Sequence, residues 1–298
     1  MGEIKKIELV LWHKCNCRCA FCCAGSSTGD QFEPRRAVDT LIRYRKQGVE
    51  SVAFGGGEPT IYPGLPALIS AARDLGYSPI EIKSNGMRFC YPEYVQDCIK
   101  SGADLFTISL WGHNAETHDR LAGRAGAFEM TEMGIKHLAH YGAQTHVDFL
   151  VSSLTVEHSA DIAEKLARLG VRRINLWVFS VFGAGGGMKD LTPKLERAGR
   201  AALEAAKAAA RHGAGAVTSH IPPCLMQGRT DLYFSITELK LLIVTPGGHS
   251  FMAEESPFEA GEHVTACGKC AFREICAGPR REYLEMFGHD EIRAWPRS

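Results

Sequence analysis

Apolar runs and amphipathic stretches alternate along this chain with little interruption. Short apolar runs rich in β-branched and aromatic residues recur at 5–12, 51–54, 79–83, 104–111, 145–151 and 173–179. Between them, apolar residues fall at helical spacing at about 34–47, 62–76, 92–101, 127–141 and 156–169. Runs of this length bounded by turn residues read as strands, and apolar positions three and four apart read as one face of a helix. Pro34 stands at a first helical position, and Gly48 and Gly76 stand where helices stop. Six strand–helix units in this order predict a parallel sheet, and hence an α/β fold of the partial (β/α)6 TIM-like barrel type.

The pattern changes after the sixth strand. Glycines within 183–187 and then Pro193 punctuate the chain, and an alanine-rich helix is predicted over about 194–212, ending at Gly213. Residues 230–252 carry two apolar runs, 232–236 and 239–244, followed by a turn at Pro246, Gly247 and Gly248. This reads as a small hairpin flanked by cysteines, not another strand–helix unit. The expected division is a barrel over 1–190 and, over 191–298, the alanine-rich helix with a small C-terminal appendage.

Composition narrows the function classes. With 298 residues, 45% apolar and 23% charged, the chain can pack one barrel-like domain and an appendage. Formal charge is zero, which offers no general attraction to nucleic acid or an anionic membrane. No apolar stretch is long enough to span a bilayer, and the first residues lack a signal-peptide core. Eleven cysteines in such a chain point to metal or redox chemistry in a reducing cytosol, so a cytoplasmic location is expected.

The cysteines are grouped. Cys15, Cys19 and Cys22 stand in a C-x3-C-x2-C pattern directly after the first strand, in a loop that also holds Cys17 and Cys23. Close thiolates repel one another unless a cation or cluster neutralises them, and soft sulfur selects iron–sulfur clusters, zinc or copper(I). Three ligands on one loop would leave a four-iron cluster with one iron unbound by protein. A structural zinc site is the alternative, but it wants a fourth ligand, usually from a second paired half.

This loop, with Phe21 just before its third cysteine, resembles the cluster loop of radical S-adenosylmethionine (radical SAM) enzymes. The resemblance extends in order and spacing to Gly55, Gly56, Gly57, Glu58 and Pro59, to Ser84, Asn85 and Gly86, to 109–112 and to 117–123, covering roughly residues 5–182. It implies that Cys15, Cys19 and Cys22 hold a [4Fe-4S] cluster, with Cys17 and Cys23 outside the ligand register. It further implies that the open iron chelates the methionine part of SAM. Gly56 and Gly57 would approach that part closely, Glu58 would receive its ammonium group, and Ser109 would meet the ribose. Adenine would lie near Phe21 and 178–181, with Ser84, Asn85 and Ser152 around the same mouth. The activity implied is reductive cleavage of SAM to methionine and a 5′-deoxyadenosyl radical, which takes a hydrogen atom from substrate.

A second constellation, Cys224, Cys267, Cys270 and Cys276, supplies four thiolates, enough for a complete second [4Fe-4S] cluster. It resembles the shortened auxiliary-cluster ("twitch" or partial SPASM) appendage of radical SAM enzymes; a zinc ribbon is the alternative. The expected substrate is a peptide side chain or a polar small molecule such as an aminosugar, oxidised or rearranged. A flavodoxin or ferredoxin is expected as electron donor, nucleic acid and membrane are not expected as partners, and the chain is expected to be a monomer or weak oligomer. The rival enzyme reading is a redox-neutral epimerase in which Cys90 donates a hydrogen atom. The rival outside enzymes is a structural zinc- or iron-binding interaction protein.

Overall fold

The computed structural model describes residues 3–22, 30–181, 186–259 and 261–296. The strands are β1 (Lys6–Val10), β2 (Ser51–Gly55), β3 (Ile80–Ser84), β4 (Leu105–Leu110), β5 (Gln144–Val151), β6 (Arg173–Val178), β7 (Gly215–Val217), β8 (Leu241–Val244) and β9 (Ser250–Met252). The α-helices are α1 (Pro34–Lys46), α2 (Leu65–Asp74), α3 (Pro92–Ser101), α4 (Ala115–Ala122), α5 (Ala127–His140), α6 (Ser159–Arg168), α7 (Leu195–Ala210) and α8 (Arg281–Phe287). They build one open sheet in the order β7-β6-β5-β4-β3-β2-β1-β8-β9, parallel throughout except for β8 with β9. The fold is the expected mixed α/β, largely parallel, partly closed barrel.

Three details differ from the sequence reading. The alanine-rich α7 does not lead straight into an appendage: its chain returns to the sheet as β7, parallel to β6. Residues 195–217 therefore form a seventh unit, and the sheet crosses the expected boundary at 190. The hairpin is displaced as well. Tyr233 bridges Thr218, while β8 pairs in parallel with β1 and antiparallel with β9. Between the fourth and fifth strands the extra helix α4 appears, capped by the Asn114 side chain, which accepts from the Thr117 amide at 2.9 Å. The glycine cluster at 183–187 lies partly outside the described residues.

Alternation along the strands sorts their side chains. Ile7, Leu9, Val52, Phe54, Ile80, Ile82, Phe106, Ile108, Val147, Phe149, Ile174 and Leu176 are buried in one continuous core with the helices. The opposite face is charged. Lys6 pairs with Glu81, Lys83 with Glu8 at 2.6 Å, and Asn175 donates to Asp148 at 2.7 Å. Layers of branched apolar residues fill an ordinary closed barrel; here the lumen is lined with paired charges.

Candidate active site at the barrel mouth

The cysteine loop leaves the C-terminal end of β1, the end at which parallel barrels carry their chemistry. Backbone bonds fix it on two sides. Toward β2, the Gly57 amide donates to the Trp12 carbonyl at 2.8 Å and the Glu58 amide to the Lys14 carbonyl at 2.9 Å. Toward α4, the Arg18 and Ala20 amides donate to the Ala122 and Leu121 carbonyls at 2.8 and 3.0 Å. Gly56 and Gly57 permit this closeness. A Cβ on Gly57 would collide with the Lys14 carbonyl, and Gly56 sits at φ +116°, where glycine is favoured. Both glycines thus serve the approach of the cysteine loop itself.

Cys15 and Cys22 are exposed and Cys19 is half-buried, whereas Cys17 is 8% exposed and turned into an apolar cluster, its Sγ 3.5 Å from Met87 Sδ. Cys23 lies outside the described residues. Burial, then the charges of Cys15 and Cys22, push the Cys19 thiol up to about 12. The charges of Cys15 and Cys22 therefore both reach the Cys19 sulfur. Among the described residues no three histidine, cysteine or carboxylate side chains converge on a single metal-ion position.

Glu58 is 1% exposed and both oxygens of its carboxylate accept hydrogen bonds. Oε1 accepts from the Thr60 amide (3.0 Å), the Thr60 hydroxyl (2.6 Å) and the Ser84 hydroxyl (2.8 Å), and Oε2 accepts from the Asn85 amide (2.8 Å). Burial pushes its pKa up, against those donors. Glu58 thus locks the end of β2 to the end of β3. Ser84 is equally committed, since its hydroxyl also accepts from the Gly86 amide at 2.9 Å. Ser152 is fully buried, with its amide donating to the Thr155 hydroxyl at 2.8 Å. Neither serine presents surface to the mouth. Ser109 is half-exposed on the lumen face of β4.

Asn85 does reach the loop. Its Nδ2 donates to Asn16 Oδ1 at 2.7 Å and lies 3.6 Å from Cys17 Sγ, while its Oδ1 accepts from the Met87 amide at 3.1 Å. On the opposite side Phe21 meets Trp111 edge to face, centroids 5.1 Å apart, and Phe179 at 5.8 Å. With Leu121 and Leu150 these rings form an apolar wall across the ends of β4, β5 and β6. Cys90 is half-buried on a 3-10 turn, Met87–Cys90, packed against α5; burial pushes its thiol up. The loop's hydrogen bonds described here reach Asn85, and none reaches Cys90. Sequence reasoning missed Asn16, Arg124, whose guanidinium donates to the Asn16 carbonyl at 2.9 Å, and the lumen charges. Charged residues at alternate positions of the first and third strands were the available signal.

The four C-terminal cysteines line one narrow pocket, closed in part by Pro223 and Ile292. Burial first, with neighbouring thiols adding to it, pushes Cys224 up to about 12 and Cys276 up to about 11. An all-sulfur donor set around one enclosed space fits a soft metal centre or cluster.

Comparison with known proteins agrees with this geometry. The family model described as the radical SAM superfamily matches residues 9–152. A probable GTP 3′,8-cyclase from Saccharolobus solfataricus is 28% identical over 185 residues, covering 61% of this chain and 59% of that protein. An AdoMet-dependent heme synthase from Nitratidesulfovibrio vulgaris is 26% identical over 189 residues, covering 61% and 51%. The matched region thus spans little more than half the length of these relatives. Among solved structures, Streptococcus suis SuiB bound to precursor peptide SuiA superposes with TM-score 0.72 at 14% identity, covering 99% of this chain and 75% of SuiB. The protein anSMEcpe with bound AdoMet gives 0.69 at 14% identity, covering 98% and 89%. At these identities the structural likeness speaks for the fold.

Proposed function

We propose that the chain is a radical SAM enzyme, on the match of residues 9–152 to that superfamily's model and the likeness to curated relatives, and that it oxidises or rearranges a carbon of a peptide side chain or a polar small molecule. The observation that carries this reading is the C-x3-C-x2-C loop held by backbone bonds against Gly56 and Gly57 at the mouth of a parallel barrel. Cys15, Cys19 and Cys22 would hold a [4Fe-4S] cluster. Bound there with SAM, it supplies the one-electron cleavage that generates a 5′-deoxyadenosyl radical.

The chain's own residues orient and enclose. Asn85 and Arg124 hold Asn16 and thereby the loop's conformation around Cys15. The backbone of 55–58 and the apolar wall of Phe21, Trp111 and Phe179 would seat SAM and keep water from the mouth. Ser109, in register with Asp148 on β5, and the Glu8–Lys83 pair would offer polar contacts to ribose or substrate. Cys224, Cys267, Cys270 and Cys276 would hold a second cluster, the electron sink that an oxidation needs. Support for a peptide among the candidate substrates comes from SuiB, captured with a precursor peptide. The GTP 3′,8-cyclase relatives keep a polar small molecule in contention.

The test is anaerobic reconstitution, metal analysis and reduction with dithionite. About eight irons with matching sulfide, together with deoxyadenosine released from SAM, is the expected result. Full iron without deoxyadenosine, or zinc in place of iron, would overturn the reading.

A further inference from the structure

We propose that Arg280 is a positioning residue through which the C-terminal four-cysteine centre tightens SAM binding at the barrel mouth. This rests on the reading of Cys15, Cys19 and Cys22 as the SAM-binding cluster and of the other four cysteines as a second centre. The geometry that carries it is one peptide unit at the end of β6. Its N–H, that of Phe179, donates to the Val151 carbonyl of β5 at 2.9 Å. Its carbonyl, that of Val178, faces the opposite way because the peptide is planar and trans. On that side β7 has already ended, since it pairs with β6 only over 173–175. Val178 is buried, and a buried carbonyl without a strand partner needs another donor. Arg280 is that donor, its Nη1 bonding at 2.9 Å. Phe179 is the ring that closes the apolar wall against Phe21, centroids 5.8 Å apart. A side chain of the appendage thus fixes the backbone that carries one ring of the wall.

The appendage in turn sets Arg280. Its Nη2 lies 2.6 Å from His220 Nε2, which also meets Glu259 Oε2 at 3.1 Å. Burial, then the Arg280 charge, hold the buried His220 down at about 4, so a neutral ring accepts from the guanidinium. Arg280 bridges Gly261, and the Glu262 amide donates to the Pro279 carbonyl at 2.8 Å. A Cβ on Gly278, at φ +84°, would strike the Glu262 carbonyl, so these two segments are closely paired. Gly278 and Pro279 line the pocket of Cys224, Cys267, Cys270 and Cys276, and the Gly278 amide donates to Cys276 Sγ at 3.3 Å. Just past Arg280, Glu282 adds a second tie, accepting from the Ser180 hydroxyl at 3.0 Å.

The residue next to the pocket lining therefore reaches, through one hydrogen bond, the peptide that carries Phe179. A metal centre in the pocket would order 259–282 and hold Arg280 on Val178. SAM would then meet a wall already in place and lose less free energy in ordering it.

The experiment measures SAM affinity by equilibrium dialysis on the anaerobically reconstituted holoenzyme, with iron content and amide hydrogen exchange beside it. Arg280→Gln should keep about eight irons. It should weaken SAM binding by about tenfold and speed exchange of the 178–181 amides. Its deoxyadenosine release at saturating SAM should stay within about twofold of the unaltered rate. Cys267→Ala, which removes a ligand of the second centre, should weaken SAM to the same degree. The double variant should bind no more weakly than either single one, because both changes break one path. Unchanged SAM affinity in Arg280→Gln overturns the proposal. So does iron loss in that variant, which would make Arg280 only a clamp of the appendage, and so does additive weakening in the double variant. Failure of the unaltered, iron-loaded enzyme to bind SAM would instead sink the radical SAM reading, a separate failure.

Discussion

The amide nitrogen of Asn85 donates to the side-chain oxygen of Asn16 at 2.7 Å, tying the end of β3 to the middle of the cysteine loop. The bond spans 69 positions of sequence, and Asn85 is itself fixed because its backbone amide donates to the buried Glu58. The chain thus runs from a buried carboxylate, through one asparagine, to the loop that carries Cys15. Asn85→Ala should leave the fold intact and loosen the loop. Small misplacements of reacting groups are costly, so dithionite-driven deoxyadenosine release should fall by about ten- to a hundredfold. Asn85→Asp should be no better, since a carboxylate facing the Asn16 oxygen would repel it. A rate within twofold of the unaltered enzyme would show that this bond does not position the site.

Burial divides the loop's cysteines into two kinds. Cys17 is turned against Met87 and Ala122, while Cys15 and Cys22 are exposed and Cys19 lies between. Cys15→Ala, Cys19→Ala and Cys22→Ala should each lose about four of about eight irons and all deoxyadenosine release. Cys17→Ala should keep both and show only a modest loss of thermal stability, since it removes a small buried group. Iron loss in Cys17→Ala equal to that of the other three would move it into the ligand set.

The sixfold alternation of strands and helices was legible because each early strand is an apolar run bounded by turns. β7 was not, because Gly215, Ala216 and Val217 carry almost no apolar signal; only pairing with β6 makes them a strand. The hairpin was misplaced for a related reason. The run 232–236 is apolar enough to be a strand, but its partner is Thr218, to which the chain returns after β7. At the site, cysteine spacing was readable since Cys15, Cys19 and Cys22 share one loop. The hydrogen bonds of Glu58, Ser84 and Ser152 were not, because which hydroxyl meets which carboxylate depends on register between strands. Lumen pairing of Lys6 with Glu81 likewise joins residues 75 apart.

That lumen pairing gives the fold an acid limit. Burial would raise the Glu81 carboxyl, but Lys6 and then Lys83 overcome it and hold the group down at about 2. A carboxylate depressed in the folded state contributes stability above its unfolded value of about 4.5, and that contribution is lost as pH falls toward 2. His118 acts in the same direction at higher pH. Burial lowers it from 6.5 to about 4, and its Nδ1 accepts from the Trp111 amide at 3.2 Å, which a protonated ring cannot do. Its contribution is present above 6.5 and is lost as pH falls through about 4. Denaturant unfolding at pH 7, 5 and 3.5 should show stability falling at each step. Glu81→Gln should flatten the lowest part of that curve and cost on the order of a few kcal/mol at pH 7. An unchanged pH profile in Glu81→Gln would mean that the pair contributes nothing.

The appendage should depend on the metal centre proposed for it. Around the four C-terminal cysteines the chain folds mainly as short 3-10 turns, and the metal would supply folding energy that little apolar core provides. Cys267→Ala and Cys270→Ala should each lose about four irons and render 257–296 sensitive to protease. Substrate-free, dithionite-driven deoxyadenosine release, which belongs to the first cysteine loop, should persist. Loss of all iron in either variant would show that the two centres are not independent.

Cys90 separates oxidation from epimerisation. A redox-neutral inversion needs a hydrogen donor beside the substrate radical, and a thiol is the suitable group. Cys90 is half-buried on the turn after β3, its thiol shifted up by burial, and the described hydrogen bonds of the cysteine loop end at Asn85. Burial is what shifts the sulfur, as it would for an ordinary half-buried thiol. Cys90→Ala should therefore release deoxyadenosine at the unaltered rate and, once a substrate is in hand, give the same product. In deuterated water an epimerase would place solvent deuterium at the inverted carbon through an exchangeable thiol, whereas the proposed oxidation places none. Deuterium incorporation that disappears in Cys90→Ala would overturn the oxidative reading and make Cys90 the hydrogen donor.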